Sequence, residues 1–479
     1  MTAAIHEFIE AFSKEIEENN AAIFAGAGLS VPAGFVDWAT LIEPLAKEIG
    51  LDVTREENLV AVAQYHYNEH GYNRARLNQI IVNQFSEIAS ITDNHRILAR
   101  LPISTYWTTN YDKLLETALR QADKIPDVKH TQQQLAVTVP RRDAVVYKMH
   151  GDVEHSDKAV LTKDDYESYH VKMSSFITAL SGDLVSKTFL FIGFSFSDPN
   201  LDYVLSRIRV SYTENQRRHY CFVRAVTQKQ DEQNKEFEYR KIKQALFIGD
   251  LKRFNIKVLL VDNYSDITDV LRAIEKKHRQ RSVFIGGSAH DYGHWDRTEA
   301  EKFIHEVSAN LVKSRYRVIS GFGLGVGSAV INGALETIYS NKGKYSEDQL
   351  MLRPFPQNET GGMKLQDLWE RYRQDMMSYG GIAIFMFGNK LVDGHVVDAN
   401  GLDREFQIAL DQGCLVIPVG ATGFLAEKMF NRVVGDWDSF FPNADSKLRT
   451  QFVKLGDKSA SPTQLLQSVM DIVRLIHKG

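Results

Sequence analysis

The chain has 479 residues, 43% of them hydrophobic and 25% charged, with a net charge of −4. That length exceeds one ordinary core, so two or three domains are expected, and the mild negative charge gives no electrostatic reason to expect a nucleic-acid partner. Two cysteines far apart, Cys221 and Cys414, with no C-x-x-C, exclude a disulfide framework and a cysteine-rich zinc site.

Ile5, Phe8, Ile9, Phe12 and Ile16 fall at helical spacing and predict an amphipathic helix over residues 3–19, packed on its own domain or, alternatively, serving as a mobile arm or subunit contact. This acidic start is unlike a signal peptide, and no apolar run approaches the roughly 18 residues that span a membrane. The expected compartment is the cytoplasm, with no membrane partner. Residues 23–25 predict a buried strand that ends in Ala25-Gly26-Ala27-Gly28-Leu29-Ser30. Such a turn, opening a helix, either cradles a phosphate on free N–H groups or serves packing alone. Further buried strands are expected at 105–108, 144–149, 188–192, 220–223 and 258–261, with helical segments between them at 112–121 and 178–185. Strands alternating with helices imply a parallel sheet covered on both faces. Residues 228–244 are highly charged and predict an exposed helix. The helix at 267–277 runs into the basic stretch Lys276 to Arg281, a solvated helix end and linker.

A second α/β unit follows, so the expected domains are 1–280 and 281–479. Residues 283–285 form a strand ending in Gly286-Gly287-Ser288, 299–314 a helix, and 317–320 a strand followed by the glycine run Gly321-Phe322-Gly323-Leu324-Gly325-Val326-Gly327. Residues 329–339 are helical, and further strands are expected at 350–353, 381–387 and 415–419. The expected fold is α/β, with two Rossmann-like parallel-sheet units that are not copies of one another.

Four segments of the first unit occur in the order of the sirtuin (SIR2) family. They are Gly26-Ala27-Gly28-Leu29-Ser30, Thr109-Asn110-Tyr111-Asp112, Lys148-Met149-His150-Gly151 and Gly193-Phe194-Ser195, and the resemblance covers roughly residues 5–275. It implies that the segments bind NAD+ and split its nicotinamide–ribose bond. Ala25, Gly26, Ala27 and Gly28 would then seat the pyrophosphate, with the Ser30 hydroxyl as a donor. Asn110 would orient a ribose hydroxyl or a water. Asp112 would accept from a hydroxyl, hold the nicotinamide amide, or cap the next helix. His150 is the general-base candidate, since an imidazole ordinarily titrates near pH 6.5. Gly193 and Ser195 would face the adenosine half, and Asp198 and Asn200 would bind there or cap the following helix. Protein-deacylating sirtuins carry four zinc-binding cysteines after this histidine. Here Gly151-Asp152-Val153-Glu154-His155-Ser156 follows without one. Water becomes the expected acceptor, NAD+ the substrate, and no metal is expected.

Residues 282–479 resemble the SLOG group of nucleotide-binding domains through the glycine turns above, Arg371-Tyr372-Arg373, Gly401-Leu402-Asp403-Arg404-Glu405-Phe406 and Gly420-Ala421-Thr422-Gly423. The resemblance implies a signal site made by Gly286, Gly287, Ser288, Gly323, Leu324, Gly325, Arg371, Arg373, Lys390 and Glu405. The glycine-threonine turn before the glutamate of catalytic relatives is absent, which implies binding rather than catalysis. A sirtuin-like unit followed by a SLOG unit resembles the NAD+-consuming effectors of bacterial Thoeris anti-phage systems. That implies activation by a cyclic ADP-ribose isomer made by a partner TIR-domain protein, and a homotetramer or larger homo-oligomer.

Overall fold

Ala21–Ala25 forms β1, every residue of it buried, and the first sheet is ordered around this strand. A computed structural model describes residues 2–87, 89–213, 215–359, 362–442 and 444–478 and divides into two compact units, Met1–Glu275 and Lys276–Gly479. In the first unit β2 (Thr105–Thr108), β3 (Pro126–Lys129), β4 (Ala144–Lys148), β5 (Thr188–Ile192), β6 (His219–Arg224) and β7 (Ile256–Val261) join β1 in the order β3-β4-β2-β1-β5-β6-β7. Every neighbouring pair is parallel. The period of two along β1 divides the core: Ala21, Ile23 and Ala25 join one hydrophobic cluster, Ala22 and Phe24 the other. The N-terminal helix is Ala3–Glu17, capped by Thr2, and its stripe is buried on the first of these faces, with the Phe8 ring centre 4.8 Å from that of Tyr220.

The second unit holds β8 (Ser282–Ser288), β9 (Arg317–Ser320), β10 (Leu350–Leu352), β11 (Ile382–Phe387) and β14 (Leu415–Pro418) in the parallel order β10-β9-β8-β11-β14. An antiparallel hairpin, β12 (Asn389–Val392) and β13 (His395–Asp398), projects after β11. No helix among the described residues is long and apolar enough to cross a membrane.

Several elements differ from expectation. β3 is an additional strand, not predicted because Pro126-Asp127-Val128-Lys129 has no apolar run; its buried Asp127 pairs with Lys129 and Arg142. The hairpin β12–β13 was missed for the same reason, since its residues are largely exposed. The helix expected at 228–244 lies at Asn234–Leu251; the residues before it form a turn pinned by Glu232, which pairs with Arg240. The helix expected to open the first glycine turn is a single turn, Ala27–Ser30.

In each sheet, strand order reverses at one point, between β1 and β5 and between β8 and β11. Crevices at the carboxyl ends of strands flanking such points are where open α/β sheets bind ligands. At the first, Gly26 N donates to Ile192 O and Gly28 N to Gly193 O, both at 2.9 Å. A Cβ on Gly193 would overlap Leu29 N, and its φ is +64°. Gly193→Ala is therefore expected to destabilise the first unit by about 2–3 kcal/mol in thermal or urea denaturation. Gly249→Ala, in open space inside the helix Asn234–Leu251, is expected to stabilise by about 0.5–1 kcal/mol. Equal effects of the two would contradict the close approach of the β1 and β5 loops.

Candidate functional site

A cavity of about 400 Å³ opens at the first reversal point. It brings together Ala27, Gly28, Ser30, Asn110, Asp112, His150, Gly193, Ser195 and Asp198. Ala25 and Gly26, expected to seat the pyrophosphate, are buried and do not line it. The N–H groups of Gly26 and Gly28 are spent on the β5 loop, so the glycines act first as spacers that let two loops meet. A neighbouring cavity of about 880 Å³ shares Gly28, Gly193, Phe194 and Ser195 and extends past Arg224 and Tyr264. Pockets of roughly 300–1,000 Å³ suit ligands of nucleotide size.

The polarity of Asn110 follows from a chain of hydrogen bonds beneath it. Asp112 Oδ1 accepts from Leu114 N at 2.9 Å, and Oδ2 accepts from Ser30 Oγ at 2.7 Å. Ser30 has thereby given its only proton and can only accept. Asn110 Nδ2 donates to it at 2.9 Å and to Gly26 O at 3.1 Å. Both amide protons are engaged, so Oδ1 is the group that Asn110 presents to the cavity, an acceptor for a hydroxyl or a water. Ser30 and Asp112, expected as direct ligands, thus engage one another, and Asp112 also accepts from the first N–H of the helix Leu114–Gln121.

His150 is 3% exposed and stands edge-on to Tyr166, ring centres 5.4 Å apart. Its Nε2 lies 3.0 Å from Asp198 Oδ2, but off the line of a hydrogen bond, and is otherwise without a partner among the described residues. The contact is therefore chiefly electrostatic, and Nε2 itself is closed off from solvent. Asp198 does both jobs expected of it: Oδ1 caps the helix Pro199–Tyr212 through Leu201 N at 2.9 Å, and Oδ2 faces His150. Burial alone would raise the Asp198 carboxyl, but His150, Leu201 N–H and Tyr166 hold it below its usual range. A permanent carboxylate beside an imidazole stabilises the imidazolium formed when the ring takes a proton.

Lys148 fixes the two loops that carry Asn110 and His150. Its side chain is fully buried; Nζ donates to Tyr111 O at 3.1 Å and to Asp112 O at 2.6 Å, and pairs with Asp152 and, at 3.3 Å, with Glu116. Burial works to neutralise the ammonium, and the two carboxylates outweigh it.

Tyr166, Trp38 and Phe85 complete the first cavity and were not foreseen. They come from segments with no distinctive motif, and only tertiary structure brings them here. Ser195 is exposed, its Oγ 2.7 Å from Ser197 Oγ. Asn200 Nδ2 is buried without a partner and lines an adjoining cavity of about 740 Å³.

In the second unit, Gly286, Gly287 and Ser288 end β8 beside Phe385, Met386 and Phe387 of β11. A Cβ on Gly323 would overlap Gly287 O, and Ala289 N donates to Leu324 O at 2.8 Å, so the glycine run lies against the end of β8. Arg373 Nε lies 3.9 Å from Glu405 Oε1, its guanidinium stacked over Phe355 at 5.0 Å. Arg371 is exposed; two residues away on one helix, it points roughly 200° from Arg373. Lys390 Nζ donates to Asn400 Oδ1 at 2.6 Å, and a Cβ on the adjacent Gly401 would meet Arg373 Nη2 at 2.9 Å. Burial pushes the Glu405 carboxyl up to about 7, against the pull of Arg373.

Residues 266–476 match the Sir2- and TIR-associating SLOG family, and residues 104–244 match the SIR2-like domain. A protein of Bacillus cereus (strain MSX-D12) named NAD(+) hydrolase ThsA is 52% identical over 476 residues, 99% of each chain. The chain belongs to the NAD(+) hydrolase ThsA family. Relatives of that name from Acinetobacter baumannii (strain 532279), over 98% of each chain, and Cytobacillus dafuensis, over 98% of this chain and 96% of its own, are each 46% identical. A solved Sir2 structure with EX-527, 2′-O-acetyl-ADP-ribose and a deacetylated p53 peptide aligns at 13% identity over 56% of this chain and 98% of its own. Its TM-score of 0.30 carries no weight here.

Two predictions follow from these geometries. Asp112→Asn keeps an oxygen for Leu114 N–H but turns an amide N–H toward Ser30, which sets the displaced Ser30 proton against Asn110 Nδ2 and breaks the chain that holds Asn110 Oδ1 toward the cavity. Turnover is expected to fall about 100-fold or more with the melting temperature nearly unchanged; unchanged turnover would refute the polarity argument. For Glu405, the carboxyl rises from an ordinary 4.5 to about 7 on folding. The folded state is therefore penalised as pH rises from 4.5 through 7, by up to about 3 kcal/mol above that. Glu405→Gln should gain stability over the parent at pH 8 and little at pH 5, as read by denaturation at both pH values.

Proposed function

We propose that the first unit of this chain hydrolyses NAD+ to ADP-ribose and nicotinamide, and that the second unit permits it by binding a cyclic ADP-ribose isomer. The observation that carries the hydrolytic reading is the fixed polarity of Asn110, whose Oδ1 faces the cavity that also holds His150 and Asp198. The glycosidic C–N bond breaks with its electron pair leaving on nicotinamide, which neutralises the pyridinium. The ribosyl centre, oxocarbenium-like at that moment, takes the oxygen of water. Asn110 Oδ1 orients the water or ribose hydroxyl, His150 takes the released proton, and Asp198 stabilises the imidazolium.

The gating part rests on the pair Arg373–Glu405, the glycine run and Lys390, which suit the pyrophosphate and riboses of a cyclic dinucleotide-like signal. The family description names association with Sir2 and TIR, which supports a TIR-domain protein as the source of that signal. Resemblance to Thoeris effectors supports NAD+ depletion in anti-phage defence, cytoplasmic action and a homotetramer or larger assembly.

The test is nicotinamide release by the purified chain from NAD+, with and without cyclic ADP-ribose isomers. One isomer should switch release on. His150→Ala should abolish release while still binding the isomer, and Arg373→Ala should raise the isomer concentration needed by about tenfold or more. Release that requires an acetyl-lysine peptide would make the chain a deacylase, and none under any condition would overturn the reading.

A further inference from the structure

The geometry points to a divalent-cation site of the zinc class, unrelated to the four-cysteine module, formed by Glu48, His66 and His70 on the helices Trp38–Glu48 and Leu59–Glu69. Each residue offers one ligand atom, and the three atoms lie within 4.8 Å of one another. Two imidazoles and one carboxylate, with a position left for water, form a donor set that zinc takes readily.

The protonation pattern favours an ion. His70 Nδ1 lies 2.9 Å from His66 O. A carbonyl only accepts, so Nδ1 carries the proton and Nε2 keeps a bare lone pair, the tautomer of a metal-ligating histidine whose other nitrogen is anchored to backbone. His66 is fully buried; its Nε2 lies 2.7 Å from Glu48 Oε2, and its Nδ1 has no partner among the described residues. The two rings, four residues apart on one helix, stack at 4.0 Å and 16°. Arg76 engages Glu48 through Oε1, at 2.6 Å from Nη2, and leaves Oε2 to the histidine side. Glu48 ends one helix and His70 caps the other, so the negative ends of both helix dipoles converge where the ion would sit.

Binding replaces the proton between His66 Nε2 and Glu48 Oε2 with the ion, and the His70 ring turns in to supply the third ligand. Glu48 and His70 are open to solvent, so entry needs no opening of the core. Trp38 and Leu59, at the other ends of the same two helices, line the cavity that holds Asn110 and His150. An ion at Glu48, His66 and His70 therefore braces the wall of that cavity from behind without touching substrate.

The experiment is titration of the metal-stripped full chain with Zn2+ by calorimetry, with Co2+ absorption reporting the ligand set. His70→Ala and Glu48→Gln alter exposed ligands and spare the buried His66. One ion per chain is expected, with Zn2+ raising the melting temperature of the parent. Affinity should fall about tenfold or more in each variant. His155→Ala, which removes the separate stacked pair His130–His155, should leave affinity unchanged. Absence of binding at about 100 µM Zn2+, where even a weak site would show as added stability, would overturn the site. So would equal affinity in the parent and His70→Ala.

Discussion

The buried ammonium of Lys148 is the constraint on which the geometry of the candidate site rests. Its partners are two main-chain carbonyls of the loop after β2 and a carboxylate of the loop after β4. The first loop carries Asn110 and the second carries His150. A buried charge is tolerated only when paired and hydrogen-bonded. Here every partner lies on a segment that must be placed, so the energy needed to hold the charge is also what holds the loops. Glu116, the second acid of the group, is pushed up by burial, while Asp152 is held down by Lys148. The ion pair proper is therefore Lys148 with Asp152, which closes the His150 loop on itself, while the bonds to Tyr111 O and Asp112 O tie that loop to the one carrying Asn110.

The same economy governs the two reversal points. In both units a glycine run meets the neighbouring loop at distances that no Cβ allows, Gly26 and Gly28 against Gly193, and Gly323 against Gly287. Packing and binding, which seem alternative explanations of a glycine turn, are successive here. The turn must first let the loops approach, and only then does the crevice between them have walls lined by side chains of chosen polarity. Ser30 shows this directly, because its hydroxyl is consumed by Asp112 and acts on the cavity through Asn110.

Most strands were legible because a parallel sheet buried on both faces must be written as short apolar runs, and β1, β5 and β11 are buried throughout. β3 was not, because Asp127 and Lys129 sit buried in an ion pair that no local pattern announces. His150 and Asn110 were legible through ordered motifs, and Asp198 through the caps it offers. The partnership of Asp198 with His150 was not, since 47 residues of intervening chain separate them and only the folded sheet brings the loops after β4 and β5 together. Arg371 and Arg373 were indistinguishable as letters; the helix separates them, giving one to Glu405 and the other to solvent.

Two buried charge groups, Lys148 with its acids in the first unit and Arg373 with Glu405 in the second, differ in how fully they are bonded. Lys148 is saturated: its ammonium has four oxygen partners and nothing further to offer. Arg373 and Glu405 are not. Their nearest approach is 3.9 Å, Arg373 Nε is buried without a hydrogen bond, and Glu405 is pushed to about 7 because one distant guanidinium does not compensate its burial. A saturated buried ion is scaffold, since any added ligand would have to displace a partner. An undersaturated pair retains bonding capacity, and an anion on the arginine with hydroxyls on the glutamate would recover what burial has cost both. Stability is thus withheld at the second site and complete at the first, which is the asymmetry a unit that responds to a ligand requires: the bound state gains what the free state lacks.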